Sequence, residues 1–181
     1  MASVLTASAP LPPGAWPLRG EGLTLALGAA AAILHLEGPR GAAPADVPAA
    51  GRCIARSGGV MLSTGPQTCL WVGASPAPAG LQDPFAAVVD MSSAWTHLAV
   101  EGRDAIPLLR KGCALDLHPR RFPAGSCAAT GFARLRAILW RADPAPRYDM
   151  LVARSHALGL WEWLAEAAAE FGCVAHNSTG A

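Results

Sequence analysis

The chain has 181 residues, a formal net charge of +1, and 15% charged against 52% apolar side chains. That length suits one or two small domains, and the near-neutral charge supplies no pull towards nucleic acid or anionic lipid. Average globular chains carry roughly 25% charged residues, so charge this sparse predicts a surface partly covered by a partner; alanine-rich composition is the competing explanation.

Five cysteines occur without a CxxC pair. An odd count at these spacings argues against a disulfide framework and for reduced thiols in a cytosol. No basic region followed by an apolar run opens the chain, so no secretory signal is read there. The uncharged apolar stretch at residues 22–36 is shorter than the roughly 20 residues that span a bilayer.

Residues 1–21 hold Pro10, Pro12, Pro13 and Pro17. Proline at this density favours extended, unpaired backbone, so the segment is predicted to be an arm, with Trp16 as its one large anchor. Residues 23–27 and 31–36 read as two strands around Gly28, although Ala29 to Ala32 also suits a helix. Gly38, Pro39, Gly41, Pro44, Pro48 and Gly51 exclude a long regular element over 37–56. Cys69 to Val72 reads as a short buried strand closed by Gly73, and 74–84 as a loop.

From residue 86 the pattern is clearer. Residues 86–89 form a short apolar run ending in Asp90. Residues 94–100 alternate with a period of two, which predicts a strand. Residues 104–111 read as a helix with Ile106, Leu108 and Leu109 inward, Pro107 in its first turn, Lys111 at its end and Gly112 as a left-handed cap. Residues 128–130 and 133–140 read as strands. On the second, Leu135, Ala137 and Leu139 share one face, and Arg134, Arg136, Ile138 and Trp140 the other. Asp143 to Pro146 is a turn, and 147–154 the returning strand. Ser155 is predicted to cap a helix whose inward stripe is Ala157, Leu160, Trp161, Leu164, Ala168 and Phe171. Glu162, Glu166 and Glu170 line its other side, and Gly172 ends it. Strand, helix, strand, strand, helix predicts an α+β fold with ferredoxin-like split β-α-β units. The expected division is an arm (1–21), a degenerate strand-rich half (22–84), an α+β domain (85–173) and a tail (174–181).

Candidate chemistry concentrates between Lys111 and Cys127. Cys113, Asp116, His118 and Cys127 are ligand types that zinc accepts, but their spacing matches no compact ligand pair. A cysteine nucleophile needs a base brought beside it; His97, His118 and His156 are the available imidazoles. No glycine motif for phosphate opens a helix. Arg120 and Arg121 could hold a carboxylate or phosphate, or meet a partner's acidic residues. Trp163 lies off the helix's inward stripe and reads as an interface anchor. The expectation is no catalytic, cofactor-binding or metal-ligating residue, and a rigid connector at 111–127. The candidate subunit-interface residues are Trp16, Lys111, His118, Arg120, Arg121, Phe122 and Trp163.

Val88-Val89-Asp90-Met91-Ser92, the run from Lys111 through Asp116-Leu117-His118-Pro119 to Arg120, and Phe122-Pro123-Ala124-Gly125-Ser126-Cys127-Ala128 resemble the gamma subunit of bacterial heterotetrameric sarcosine oxidase. Leu139-Trp140-Arg141, Leu151-Val152-Ala153-Arg154-Ser155 and Leu160-Trp161-Glu162-Trp163-Leu164 agree in order and spacing. The resemblance covers about half the chain, residues 86–172. It implies a fold like the folate-binding domain of the glycine-cleavage T-protein, an aminomethyltransferase. It also implies alpha, beta and delta subunits as partners, no membrane or nucleic-acid partner, and a cytoplasmic location. FAD, FMN, NAD, tetrahydrofolate and zinc are expected in those partner subunits, with none bound by this chain. The implied reaction of the complex is oxidative demethylation of sarcosine to glycine, with hydrogen peroxide and 5,10-methylenetetrahydrofolate or formaldehyde as products. Related alternatives are the corresponding subunit of N-methylglutamate dehydrogenase, or a free-standing folate-binding protein.

Overall fold

The computed structural model describes residues 11, 16–38, 47–56, 58–81 and 85–173. In chain order its strands are β1 (Leu18–Arg19), β2 (Thr24–Leu27), β3 (Ala32–Glu37), β4 (Cys53–Arg56), β5 (Gly59–Gly65), β6 (Thr68–Gly73), β7 (Ala87–Asp90) and β8 (Trp95–Glu101). Helix α1 (Ala105–Gly112) follows, then β9 (Ser126–Phe132), β10 (Leu135–Arg141), β11 (Arg147–Ala153) and helix α2 (Ala157–Ala168). One sheet runs β1-β2-β8-β11-β10-β9 and the other β4-β5-β6-β3-β7.

Alternation along β10 explains the layering. Ala137 and Leu139 join Leu98, Val100, Met150, Leu108, Leu109, Leu160 and Leu164 in a core between the six-stranded sheet and the helices. Ile138 and Trp140 face the other way, into a core shared with Ile33, Leu62, Leu70 and Val72 between the two sheets. Successive strand side chains point to opposite faces, so one strand serves both layers. A third cluster, with Leu34, Leu36, Met61 and Trp71, lies on the outer face of the five-stranded sheet.

The α+β class holds, but the split β-α-β expectation needs correction. All the ladders are antiparallel. Two strands, β11 and β10, separate β8 from β9, so the segment β8–α1–β9 joins antiparallel strands rather than parallel ones. The division at residue 84 does not separate the sheets either. β2 pairs with β8, and β7 pairs with β3, so each sheet draws strands from both halves.

Other expectations change for local reasons. The end of the predicted arm is strand β1, paired to β2; residues 1–10 and 12–15 lie outside the described residues, as does the tail 174–181. β4 and β5 lack a clear hydrophobic period; pairing of β4 with β5 and of β5 with β6 makes them strands. Gly59 and Gly73 flank the fully buried Trp71: a Cβ on either would come within 2.5–2.7 Å of its indole ring. Ala133 is a turn residue, not a strand residue, and it and Arg134 adopt φ of +47° and +67°. Gly112 is the last residue of α1 rather than its left-handed cap; Cys113 follows in extended conformation. The Gly112 position is set by packing, because a Cβ would lie 2.5 Å from the Phe132 ring. Ser155 does not cap α2: it lies in a short 3-10 turn, and His156 occupies the N-cap position without a side-chain bond. Gly172 does end the last turn, with φ +72°.

Candidate functional site

The connector after α1 is fixed by its own hydrogen bonds. His118 N–H donates to Asp116 Oδ1 at 3.0 Å, and Arg120 N–H donates to His118 Nδ1 at 3.2 Å. The N–H groups of Arg121 and Phe122 donate to the His118 carbonyl at 2.8 and 2.9 Å. Such local side-chain bonds hold a turn in place of regular structure. Leu117 and Phe122 pin the loop into the core, and Phe122 stacks on Tyr148 with ring centroids 6.4 Å apart.

These contacts dissolve the zinc reading. Asp116 and His118 serve the loop backbone, while Cys127 points between the sheets and donates to the Arg52 and Ser63 carbonyls at 3.0 and 3.4 Å. No group of three potential metal ligands converges among the described residues. The thiols are equally unsuited to nucleophilic attack. Burial pushes the Cys53 thiol up to about 12 and the Cys69 thiol to about 11. Burial also raises Cys113, Cys127 and Cys173. The thiolate is the reactive form.

The proposed interface residues separate into two groups. Phe122 is a core residue and so presents no contact surface. Trp16 meets Trp161 edge-on at 6.4 Å, and Trp163 meets Phe132 edge-on at 5.3 Å, both half-buried within this chain. Lys111 Nζ lies 2.6 Å from Glu170 Oε2, donates to the Ala167 carbonyl and sits over the Phe171 ring. It therefore ties α1 to the end of α2. His118, Arg120 and Arg121 are exposed.

A polar cluster that sequence reasoning did not assemble lies between the sheets. His97 Nε2 is 2.9 Å from Asp149 Oδ1. The Arg147 guanidinium forks onto Asp149, Nε to Oδ2 at 3.0 Å and Nη2 to Oδ1 at 2.8 Å, and its Nη1 reaches Glu101 Oε1 at 2.7 Å. Register makes this possible: Arg147 lies opposite Glu101, while Asp149 lies opposite Ala99 and diagonal to His97 on the same face. Burial opposes ionisation of Asp149, yet hydrogen bonds from His97 and Arg147 outweigh it and hold the carboxyl below the usual carboxylate range. The residues were visible singly, as alternating positions on 97–101 and 147–149; only the β8–β11 register joins them.

The cluster borders an open hollow of about 390 Å³ lined by Ala30, Gly59, Val72, His97, Trp140 and Asp149, among others. His97 stacks on Trp140 at 5.1 Å. Ala30 N–H donates to Nδ1 at 3.3 Å, so Nε2 carries the proton given to Asp149. Both ring nitrogens are thereby occupied, and no lone pair is left to act as a base on a ligand. The cluster joins sheet to sheet; it does not assemble a nucleophile, a base and an orienting group.

Fold and site together define a two-sheet α+β protein in which the His97, Asp149, Arg147 and Glu101 cluster ties β8 to β11. The chain belongs to the sarcosine oxidase, gamma subunit family, whose profile matches residues 79–170. Sarcosine oxidase subunit gamma of Corynebacterium sp. (strain U-96) is 34% identical over 84 residues, covering 46% of this chain and 40% of that protein. The corresponding subunit of Corynebacterium sp. (strain P-1) is 34% identical over 93 residues, covering 51% and 45%. These matches thus span less than half the length of the curated relatives. A chain of the heterotetrameric sarcosine oxidase from Corynebacterium sp. U-96, solved in complex with pyrrole 2-carboxylate, superposes with a TM-score of 0.72 at 27% identity, covering 87% of this chain and 90% of that one.

Proposed function

We propose that this chain is the non-catalytic gamma subunit of a heterotetrameric, flavin-dependent sarcosine oxidase. The observation that carries the reading is structural likeness over 87% of the chain to a chain of such a complex. Buried thiols and a histidine with both nitrogens engaged agree with a subunit that supplies no reacting group. The complex oxidatively demethylates sarcosine to glycine, yielding hydrogen peroxide and 5,10-methylenetetrahydrofolate or formaldehyde. FAD, FMN, NAD, tetrahydrofolate and zinc are held by the alpha, beta and delta partners, and assembly takes place in the cytoplasm, where cysteines without disulfides are stable.

Co-expression with flavin-bearing, folate-binding and small zinc-binding subunits tests this. The expected result is one co-purifying complex that contains this chain and oxidises sarcosine. A chain that stays a monomer in the presence of all three, while they assemble without it, would sink the reading.

A further inference from the structure

The outer edge of β9 is open, uncharged and flanked by two arginines, Arg134 and Arg136, without a carboxylate partner among the described residues. β9 pairs on one side with β10. On its other side only the first residues are covered, where Cys127 N–H donates to the Gly51 carbonyl and Arg52 bridges to Ser126. Strand backbone groups alternate sides, so the N–H and C=O groups of Ala129 and Gly131 face the same way as Cys127 N–H. Both residues are exposed, and no backbone partner for their N–H groups is present among the described residues. Edge strands usually carry a charge, a proline or a cover that blocks pairing. Residues 127–131, Cys-Ala-Ala-Thr-Gly, carry no charge and no proline.

Two hollows meet along this edge and share Ala129. One, of about 360 Å³, is walled by the uncharged segments 50–51 and 63–66. The other, of about 420 Å³, is lined by Thr130, Gly131, Arg134 and Arg136. No carboxylate lies within 4 Å of either arginine among the described residues, in contrast to Arg147. Arg134 also occupies the tip of the β9–β10 turn at φ +67°. A glycine or asparagine would sit there with less strain, so the turn retains a cationic side chain against its backbone preference. Strained positions of this kind concentrate at functional surfaces.

We propose that the β9 edge is a docking site for an extended acidic segment of a partner subunit, which adds as a strand and places carboxylates against Arg134 and Arg136. The proposal rests on the accessory-subunit reading. Strand addition supplies main-chain affinity through the outward groups of Ala129 and Gly131. The small side chains of 127–131 let the added strand approach closely. The arginine pair selects a segment with negative charge and fixes its direction.

The test uses the co-expressed complex and three full-length variants. R134E/R136E reverses the local charge, A129P removes an outward donor, and R134G removes one cation while relieving the turn. The expected result is a drop of at least tenfold in recovered complex for the first two. For R134G, assembly should weaken more at low than at high salt while the chain melts no lower than wild type. Hydrogen exchange on the wild-type complex should show protected Ala129 and Gly131 amides. Fast exchange at both amides, or wild-type recovery of R134E/R136E, would overturn the proposal while leaving the accessory-subunit reading intact. A β9-to-β9 pairing between two copies of this chain would overturn it too. Failure of the wild-type chain to join the complex would overturn both readings, which separates the two failures.

Discussion

His97 Nε2 lies 2.9 Å from Asp149 Oδ1, and the opposite ring nitrogen accepts the Ala30 N–H at 3.3 Å. One imidazole therefore links β8 to β11 within its own sheet and to the segment that crosses into the second sheet. Asp149 is 4% exposed and takes two further bonds from Arg147. Removing one member of a buried charged pair costs about 3–5 kcal/mol. With the Arg147 side chain 38% exposed, D149N should fall near the lower end, about 3 kcal/mol in urea unfolding at pH 7. A loss under about 1 kcal/mol would show that the cluster is peripheral to stability.

The same carboxylate sets a pH dependence. The hydrogen bonds from His97 and Arg147, prevailing over burial, place its folded pKa below the ordinary value of 3.8. The unfolded chain then binds the proton more readily than the folded one. The Asp149 contribution is complete above the unfolded pKa and is lost as pH falls through the folded value. Wild type should lose more stability than D149N between pH 5 and the acid range. Parallel stability–pH curves for the two proteins would contradict this assignment.

Gly28 marks the other side of the histidine. A Cβ there would fall 2.0 Å from His97 Nδ1. Overpacking of this kind costs about 1–3 kcal/mol, so G28A should lower the melting temperature. The double variant G28A/H97A should cost less than the two single losses added together, because the clash is gone. Strict additivity in thermal melts would place the two residues apart.

Gly112 yields a prediction opposite to helix propensity. Alanine within a helix is ordinarily better than glycine by about 1 kcal/mol. Here the Cβ would meet the Phe132 ring at 2.5 Å, so G112A should destabilise by about 1 kcal/mol or more despite that gain. At the β9–β10 turn the sign reverses. R134G should stabilise by about 1 kcal/mol, since φ of +67° no longer strains a side-chain-bearing residue. Chemical denaturation of both variants decides.

The thiols should be silent in the folded chain. Burial raises all five, Cys53 to about 12 and Cys69 to about 11. At pH 8 a thiol reagent should label native protein slowly and all five sites rapidly after unfolding. The double variant C113A/H118S should leave specific activity of the assembled complex largely unchanged. Loss of activity with assembly preserved would assign the connector a chemical role.

Much of the second half was legible from residues alone because each signal there is local. Alternation over 135–140 assigned both faces of β10 correctly, and spacings of three and four picked out Ala157, Leu160, Leu164 and Ala168. The α+β class follows from the same patterns, while the family resemblance over 86–172 rests on its own motifs, such as the run from Lys111 to Arg120. Other features depend on groups distant in sequence. Gly112 looks like a cap until Phe132 is set beside it. Lys111 and Trp163 look outward until Glu170 and Phe132 engage them. β4 and β5 carry too little hydrophobic period to be strands without each other and β6. His97 and Asp149 are separated by 52 positions and share a face only through the β8–β11 register. Sequence determined the periods and breaks, since those are properties of neighbouring residues. Tertiary structure decided which faces met, which charges were paired and which strand edge stayed open, since those depend on strand order and register, which local pattern does not encode.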